Sequence, residues 1–275
     1  MAMFDIIDSA GYGYRLAWQE KRYLARLATV PTLIKWISIF FILKADWQGF
    51  NLKPNLLLLP SFFADGWMYS HYARLVFLDQ RWPFKPSGDA AADRQDLMDR
   101  AHFLMAGTLT FVLFHFLMGG FFVCELFVFS HAAQMTQAPT PQMPTSLALM
   151  VLVSLVFGLW FIRFLWFYIP ASLGYSLQDC RRDVRGMMTS VLMVLTMLIC
   201  YVPLWVVQHL VESVASGYDV AHPETWPVTV LVFISMVESV SDSAIGLIVT
   251  GAMAYAFYEM ISLKRGPASG RPPRP

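Results

Sequence analysis

Charge is scarce in this sequence. Only 14% of its 275 residues are Asp, Glu, Lys or Arg, against about a quarter in soluble domains. The formal net charge is +1, which argues against a nucleic-acid partner, since that would need a basic surface to replace counterions. Cysteine is scarcer still. Cys124, Cys180 and Cys200 are far apart and form no CxxC pair, which speaks against a disulfide framework or a zinc site. Walker A, GxSxG, HExxH and GxGxxG patterns are missing from any context that would make them work, so nothing points to an enzyme and no cofactor is expected. A cleavable leader is not expected either. The first 26 residues mix Asp5, Asp8, Arg15, Glu20, Lys21, Arg22 and Arg26 without an apolar core, leaving insertion to the first spanning helix.

What is abundant is apolar side chain. Hydrophobic residues make up 57% of the chain, with 22 Phe, 16 Met, 11 Tyr and 9 Trp, a composition for which lipid is part of the solvent. A helix needs about 20 mainly apolar residues to cross a bilayer core of about 30 Å. Residues 103–130, 147–170, 187–211 and 228–258 meet this readily. Residues 24–44 and 56–78 hold more polar groups (Lys35 in one; Asp65, His71 and Arg74 in the other) and are read as spans, with a buried re-entrant pair as the alternative.

Lys and Arg accumulate in cytoplasmic loops, and their distribution tests this count. The amino end has Arg15, Lys21, Arg22 and Arg26, whereas residues 45–55 have only Lys53. Residues 79–102 have Arg81, Lys85, Arg94 and Arg100, whereas 131–146 have no charged residue. Residues 171–185 have Arg181, Arg182 and Arg185, whereas 212–227 have neither Lys nor Arg. The tail has Lys264, Arg265, Arg271 and Arg274. Rich and poor loops alternate throughout, which six spans explain and five do not.

The expected fold is therefore all-α: a polytopic bundle of about six transmembrane helices, both termini cytoplasmic, forming one domain over residues 1–263. Before the first span, Phe4, Ile7, Ala10, Tyr14, Trp18 and Tyr23 recur at roughly helical spacing among charges. Residues 1–23 are read as an amphipathic helix in the headgroup layer, the alternative being a solvated cap. Asp89–Arg100 reads as a polar extension of the third span, and residues 264–275 as a disordered basic tail.

An ionisable group inside a span costs about 2.5–3.5 kcal/mol on insertion scales and calls for a partner. The sixth span has a band of such groups. Glu238 and Asp242 are four apart and share a helix face with Ser235 and Ser239. One reading is a proton or cation site. The other pairs a carboxylate with Arg163 of the fourth span and leaves the serines to let helices approach. Asp65, His71 and Arg74 either form a polar wall opposite that band, or Arg74 and Lys35 snorkel to the two interfaces. Glu125 sits near the outer end of the third span and is read as reaching the interface. His102 and His115, about 20 Å apart along one helix, find no matching pair elsewhere, so haem is not expected.

The fourth span ends in a recognisable pattern: Arg163, then Pro170-Ala171, a short basic segment with Arg181, Arg182 and Arg185, then Gly186 before the next span. Together with the closing Ala254-Tyr255-Ala256-Phe257-Tyr258, it resembles uncharacterised bacterial six-helix proteins related to the membrane domain of glycerophosphoryl diester phosphodiesterases. The soluble domain that carries that family's activity is not in this sequence. The resemblance implies a membrane module of a bacterial inner membrane without known chemistry. The function expected is that of a non-enzymatic accessory, anchoring or assembly subunit, whose partners are the bilayer and other membrane-protein subunits. A small transporter or channel using the acidic band is the alternative, and a lipid-modifying enzyme comes third.

Overall fold

The computed structural model describes residues 4–45, 53–136, 145–183, 186–214 and 225–265, and the regular structure among them is entirely helical. Ten α-helices follow one another: α1 (Ile6–Gln19), α2 (Lys21–Lys44), α3 (Lys53–Leu57), α4 (Leu59–Leu78), α5 (Ala90–Thr136), α6 (Thr145–Phe161), α7 (Tyr168–Ser172), α8 (Leu177–Asp183), α9 (Met187–Val214) and α10 (Val228–Arg265). Among the described residues five helical stretches are long and apolar enough to cross a membrane: Lys21–Lys44, Ala90–Cys124, Leu152–Ser172, Met187–Val206 and Val228–Met260.

The helix α4 is not among those five, and its position explains why. It packs against α2, α5, α7 and α10, and 12 of its 20 residues are buried. Surrounded by protein, it has no need of a uniformly apolar surface. Its 20 residues still extend about 30 Å, the thickness of a bilayer core. Its last turn closes on Asp79 in the left-handed conformation (φ 52°), whose N–H donates to the carbonyls of Arg74 and Leu75. This cap turns the chain back so that Gln80 lies beside Arg74.

The entry of α5 is equally well specified. The Asp89 carboxylate accepts the Ala91 N–H at 3.0 Å, satisfying a donor that the first turn leaves open. Asp93 in turn accepts the Ser87 N–H at 2.8 Å and the Ser87 hydroxyl at 2.7 Å. From there α5 continues for 47 residues, about 70 Å, more than twice a bilayer core. The polar stretch 90–102 and the apolar run after it are one uninterrupted helix.

Residues 147–170, read from sequence as a single span, are interrupted. After α6 the chain tightens into a 3-10 turn over Ile162–Trp166 before α7 begins. Pro170 accounts for the break: it has no N–H for the Trp166 carbonyl and its ring crowds that group. Arg163 lies in this turn.

One face of α1 (Ser9, Ala10, Tyr12, Gly13 and Leu16) is buried against α9 and α10. The Tyr12 ring stacks on Tyr255 with centroids 4.6 Å apart, and the Tyr14 hydroxyl donates to the Cys200 carbonyl at 2.7 Å. Burial pushes the Tyr12 phenol up to about 12. Contact this close depends on Gly13, whose Cα abuts α10: an added Cβ would collide with the Ile248 carbonyl oxygen and lie 2.9 Å from the Ala252 nitrogen. Ile7 and Trp18 point outward and are exposed.

Candidate functional site

Two polar regions are built into this apolar bundle. The first is a layer between α2, α4 and α10. Lys35 on α2 and Asp65 on α4 are both buried and lie 2.8 Å apart. Lys35 thus turns inward instead of snorkelling to an interface, because α2 crosses α4 within reach of a carboxylate. Asp65 Oδ1 is buried without a hydrogen-bond partner among the described residues. On either side of the pair, α2 is fastened to α10: the Thr32 hydroxyl donates to Ser243 at 2.9 Å, and the Trp36 indole donates to Ser235 at 3.0 Å.

The acidic stripe of α10 faces this layer. Ser235 and Ser239 are fully buried and return their hydroxyl protons to their own helix, to Leu231 and Ser235 carbonyls at 2.6 Å each. Glu238 is half-buried and Asp242 is exposed. Asp242 nevertheless belongs to the inward stripe, one turn before Gly246, whose backbone lies against the Tyr69 ring and hydroxyl. Asp242 acts electrostatically on both Asp65 and Tyr69. An accessible carboxylate on an inward face means that the packing opens locally at this depth, between the buried Leu231 and the buried Ile245 and Val249.

Arg163 is buried, with its guanidinium 4.6 Å from the Trp160 ring centroid and 4.9 Å from that of Phe164. The two rings give the cation a polarisable surface in an apolar setting. The side chain of Glu125 lies outside the described residues. His115 is a packed residue: it stacks on Phe111 at 3.6 Å, and its Nδ1 lies 2.9 Å from the Phe111 carbonyl oxygen.

The second region lies between α4 and α5, where a cavity of about 510 Å³ is lined by Trp67, His71, Arg74, Arg81, Trp82 and Arg100, among others. His71 and Arg74 therefore do not share a wall with Asp65. Nine residues, about two and a half turns, put Arg74 on the opposite side of α4. Arg74 donates to the Ser172 carbonyl at 2.6 Å and to Gln80 Oε1 from Nε at 3.0 Å and from Nη2 at 2.6 Å. Arg100 pairs with Asp96 at 2.9 Å and lies 4.8 Å from the Phe84 ring centroid. Arg81 is gripped by both oxygens of Glu20, at 2.6 and 2.9 Å, which raises its guanidinium above the ordinary value. His71 meets the edge of Trp67 at 4.5 Å, and Trp67 meets Trp82 at 5.6 Å.

Among the described residues no three His, Cys, Asp or Glu side chains are grouped to hold a metal ion. No protein-family model, curated protein or solved structure matches this chain. The class is defined by the fold itself: an all-helical bundle of membrane type, with five helices apolar enough to span and two polar regions inside it.

Proposed function

We propose that the protein is a non-enzymatic membrane subunit that anchors or assembles a partner within the bilayer. One observation carries this reading: the polar groups between the helices are used to lock helix to helix. Lys35 with Asp65, Thr32 with Ser243, Trp36 with Ser235, and Tyr168 with Thr250 at 2.7 Å each join two different helices. Such contacts build a rigid frame and present an apolar exterior to lipid and to partner helices.

In this reading α4 is a sixth span, shielded on several sides by protein, and the alternation of basic loops puts both termini in the cytoplasm. The outward stripe of Ile7 and Trp18 supports a place for α1 at the headgroup level. The fourth-span pattern supports a bacterial inner membrane. The polar start of α5, with Leu97 and Met98 exposed, then projects into the cytoplasm as the surface a partner would grip. Photo-crosslinking from Met98 in native membranes, followed by purification, tests this. A single partner recovered in stoichiometric amount is the expected result; no crosslink beyond lipid overturns it.

A second reading, transport of a proton or cation, has its own support in the accessible Asp242 beside the buried Lys35–Asp65 pair. It requires a flux in proteoliposomes that Asp242→Asn abolishes.

A further inference from the structure

The α4–α5 cavity has two unlike ends. At one end are Arg74, Arg81 and Arg100 with His71, next to Trp82 and Gln80. At the other are Phe63, Leu104 and Met105. From Arg74 to Phe63 is eleven positions of α4, about 16 Å along the helix. Phe63 and Met105 are also exposed, so the apolar end is open along the outside of the bundle.

The charge at the basic end is incompletely balanced. Arg81 has Glu20 and Arg100 has Asp96, yet neither carboxylate lines the cavity. Arg74 is buried, and each acceptor it holds is neutral: a backbone carbonyl and an amide oxygen. The Arg100 Nε is buried without a hydrogen-bond partner among the described residues. Guanidinium groups converging in this way match the oxygens of a phosphate. The apolar groove running away from them matches an acyl chain, and a small water-soluble anion would leave that groove unused.

We propose that this cavity binds one anionic membrane lipid, its phosphate held by Arg74, Arg81 and Arg100 and the start of an acyl chain lying along Phe63, Trp67 and Met105. Trp67 and Trp82 close the site at the level where chain meets headgroup, the depth at which indole rings prefer to sit. The Gln80 amide, placed by the Asp79 cap, fixes the Arg74 guanidinium before the lipid arrives, which lowers the ordering cost of binding.

The test is native mass spectrometry of the full chain released from nanodiscs of phosphatidylcholine containing a minor fraction of phosphatidylglycerol. One retained phosphatidylglycerol per protein, in preference to phosphatidylcholine, is the expected result. Arg100→Gln should lower retention by at least about tenfold, since a charge-assisted contact to phosphate is lost. Arg74 is structurally engaged and its loss could impair folding, so the second variant is Met105→Trp. It fills the exposed apolar end, leaves every cation in place, and should lower retention comparably. Inorganic phosphate at millimolar concentration should not displace the lipid. Displacement by phosphate would make this a soluble-anion site and overturn the proposal. Equal retention of the two lipids, or undiminished retention by both variants, would overturn it as well.

Discussion

The Lys35 ammonium lies 2.8 Å from the Asp65 carboxylate across the α2–α4 contact, with side chains 8% and 5% exposed. Taking two charges out of water costs several kcal/mol per ion, and mutual attraction repays this only while both are present. Lys35→Met should therefore destabilise the protein by about 3–5 kcal/mol, because it leaves a buried carboxylate alone. Lys35→Met combined with Asp65→Leu should recover most of that loss. Unfolding in detergent, followed by tryptophan fluorescence, measures both. A single variant as stable as the parent would show that the pair does not hold α2 to α4.

Two glycines on α1 should respond in opposite ways. Gly13 sits where any Cβ meets α10 backbone, whereas an added Cβ at Gly11 meets nothing within 4 Å. Gly13→Ala should force α1 away from α10 and cost about 1–3 kcal/mol, the usual penalty of overpacking. Gly11→Ala should stabilise by about 0.5–1 kcal/mol, since alanine is the better helix former. Thermal midpoints of the two variants measured side by side decide the matter, and equal midpoints would mean that α1 is not docked.

Which features could be read before folding follows from what each depends on. An apolar run depends only on composition, so five of the six spans read from sequence coincide with stretches long and apolar enough to cross, all but the one that became α4. The break near Arg163 had a visible cause in Pro170, but the apolar count passed over it. Lys35 and Asp65 are thirty positions apart, and nothing local says that α2 crosses α4 there. A lone Lys with a long stem reads as snorkelling until that crossing is known. Of the arginines of the second cavity, Arg81 and Arg100 were legible only as loop charge, and Arg74 as part of a polar wall or as a snorkelling side chain. Their convergence depends on the Asp79 cap and on α5 returning beside α4, which no spacing rule encodes. Asp65, His71 and Arg74 looked like one wall because they share a segment, yet the helical repeat sends them to opposite sides.

The amino-terminal helix offers an optical test. Trp18 is exposed, and the Lys21 ammonium lies 3.9 Å from its ring centroid, an arrangement suited to a headgroup layer. In a variant retaining only this tryptophan, lipids brominated near the glycerol should quench its emission more strongly than lipids brominated near the chain ends. Emission matching free indole in water, with no quenching by either lipid, would mean that α1 docks on α9 and α10 outside the bilayer.

Topology can be read with a thiol reagent. The lysine and arginine alternation predicts that residues 131–146 and 212–227 lie outside and residues 79–102 inside. Gln137 and Gly217 fall outside the described residues, so labelling supplies information the fold does not. In a background without native cysteines, Gln137→Cys and Gly217→Cys should react with an impermeant maleimide in intact cells. Lys85→Cys should react only after lysis. Protection of both outer positions would defeat the six-span reading, and labelling of only one would reduce it to five.

Asp242 separates the two functional readings. It belongs to the inward stripe with Ser235 and Glu238, acts electrostatically on Asp65, and is nevertheless exposed. An exposed carboxylate gives up little packing when neutralised, so Asp242→Asn should change stability by less than about 1 kcal/mol. Asp65→Asn, which leaves buried Lys35 facing a neutral amide, should cost several times more. If Asp242 serves transport, the stable Asp242→Asn variant should abolish a proton- or cation-driven flux in proteoliposomes, with Glu238→Gln slowing it. If the protein is an assembly subunit, the parent should show no flux above empty vesicles, and both variants should still recover the partner crosslinked from Met98. Arg163 provides the internal control. Its guanidinium lies over Trp160 and Phe164, so Arg163→Lys, which keeps the charge and gives up the planar stacking, should lower stability by about 0.5–2 kcal/mol. A flux that survives Asp242→Asn in a fully folded protein would remove the acidic stripe from transport, and loss of the partner in that same variant would make the stripe part of the assembly surface.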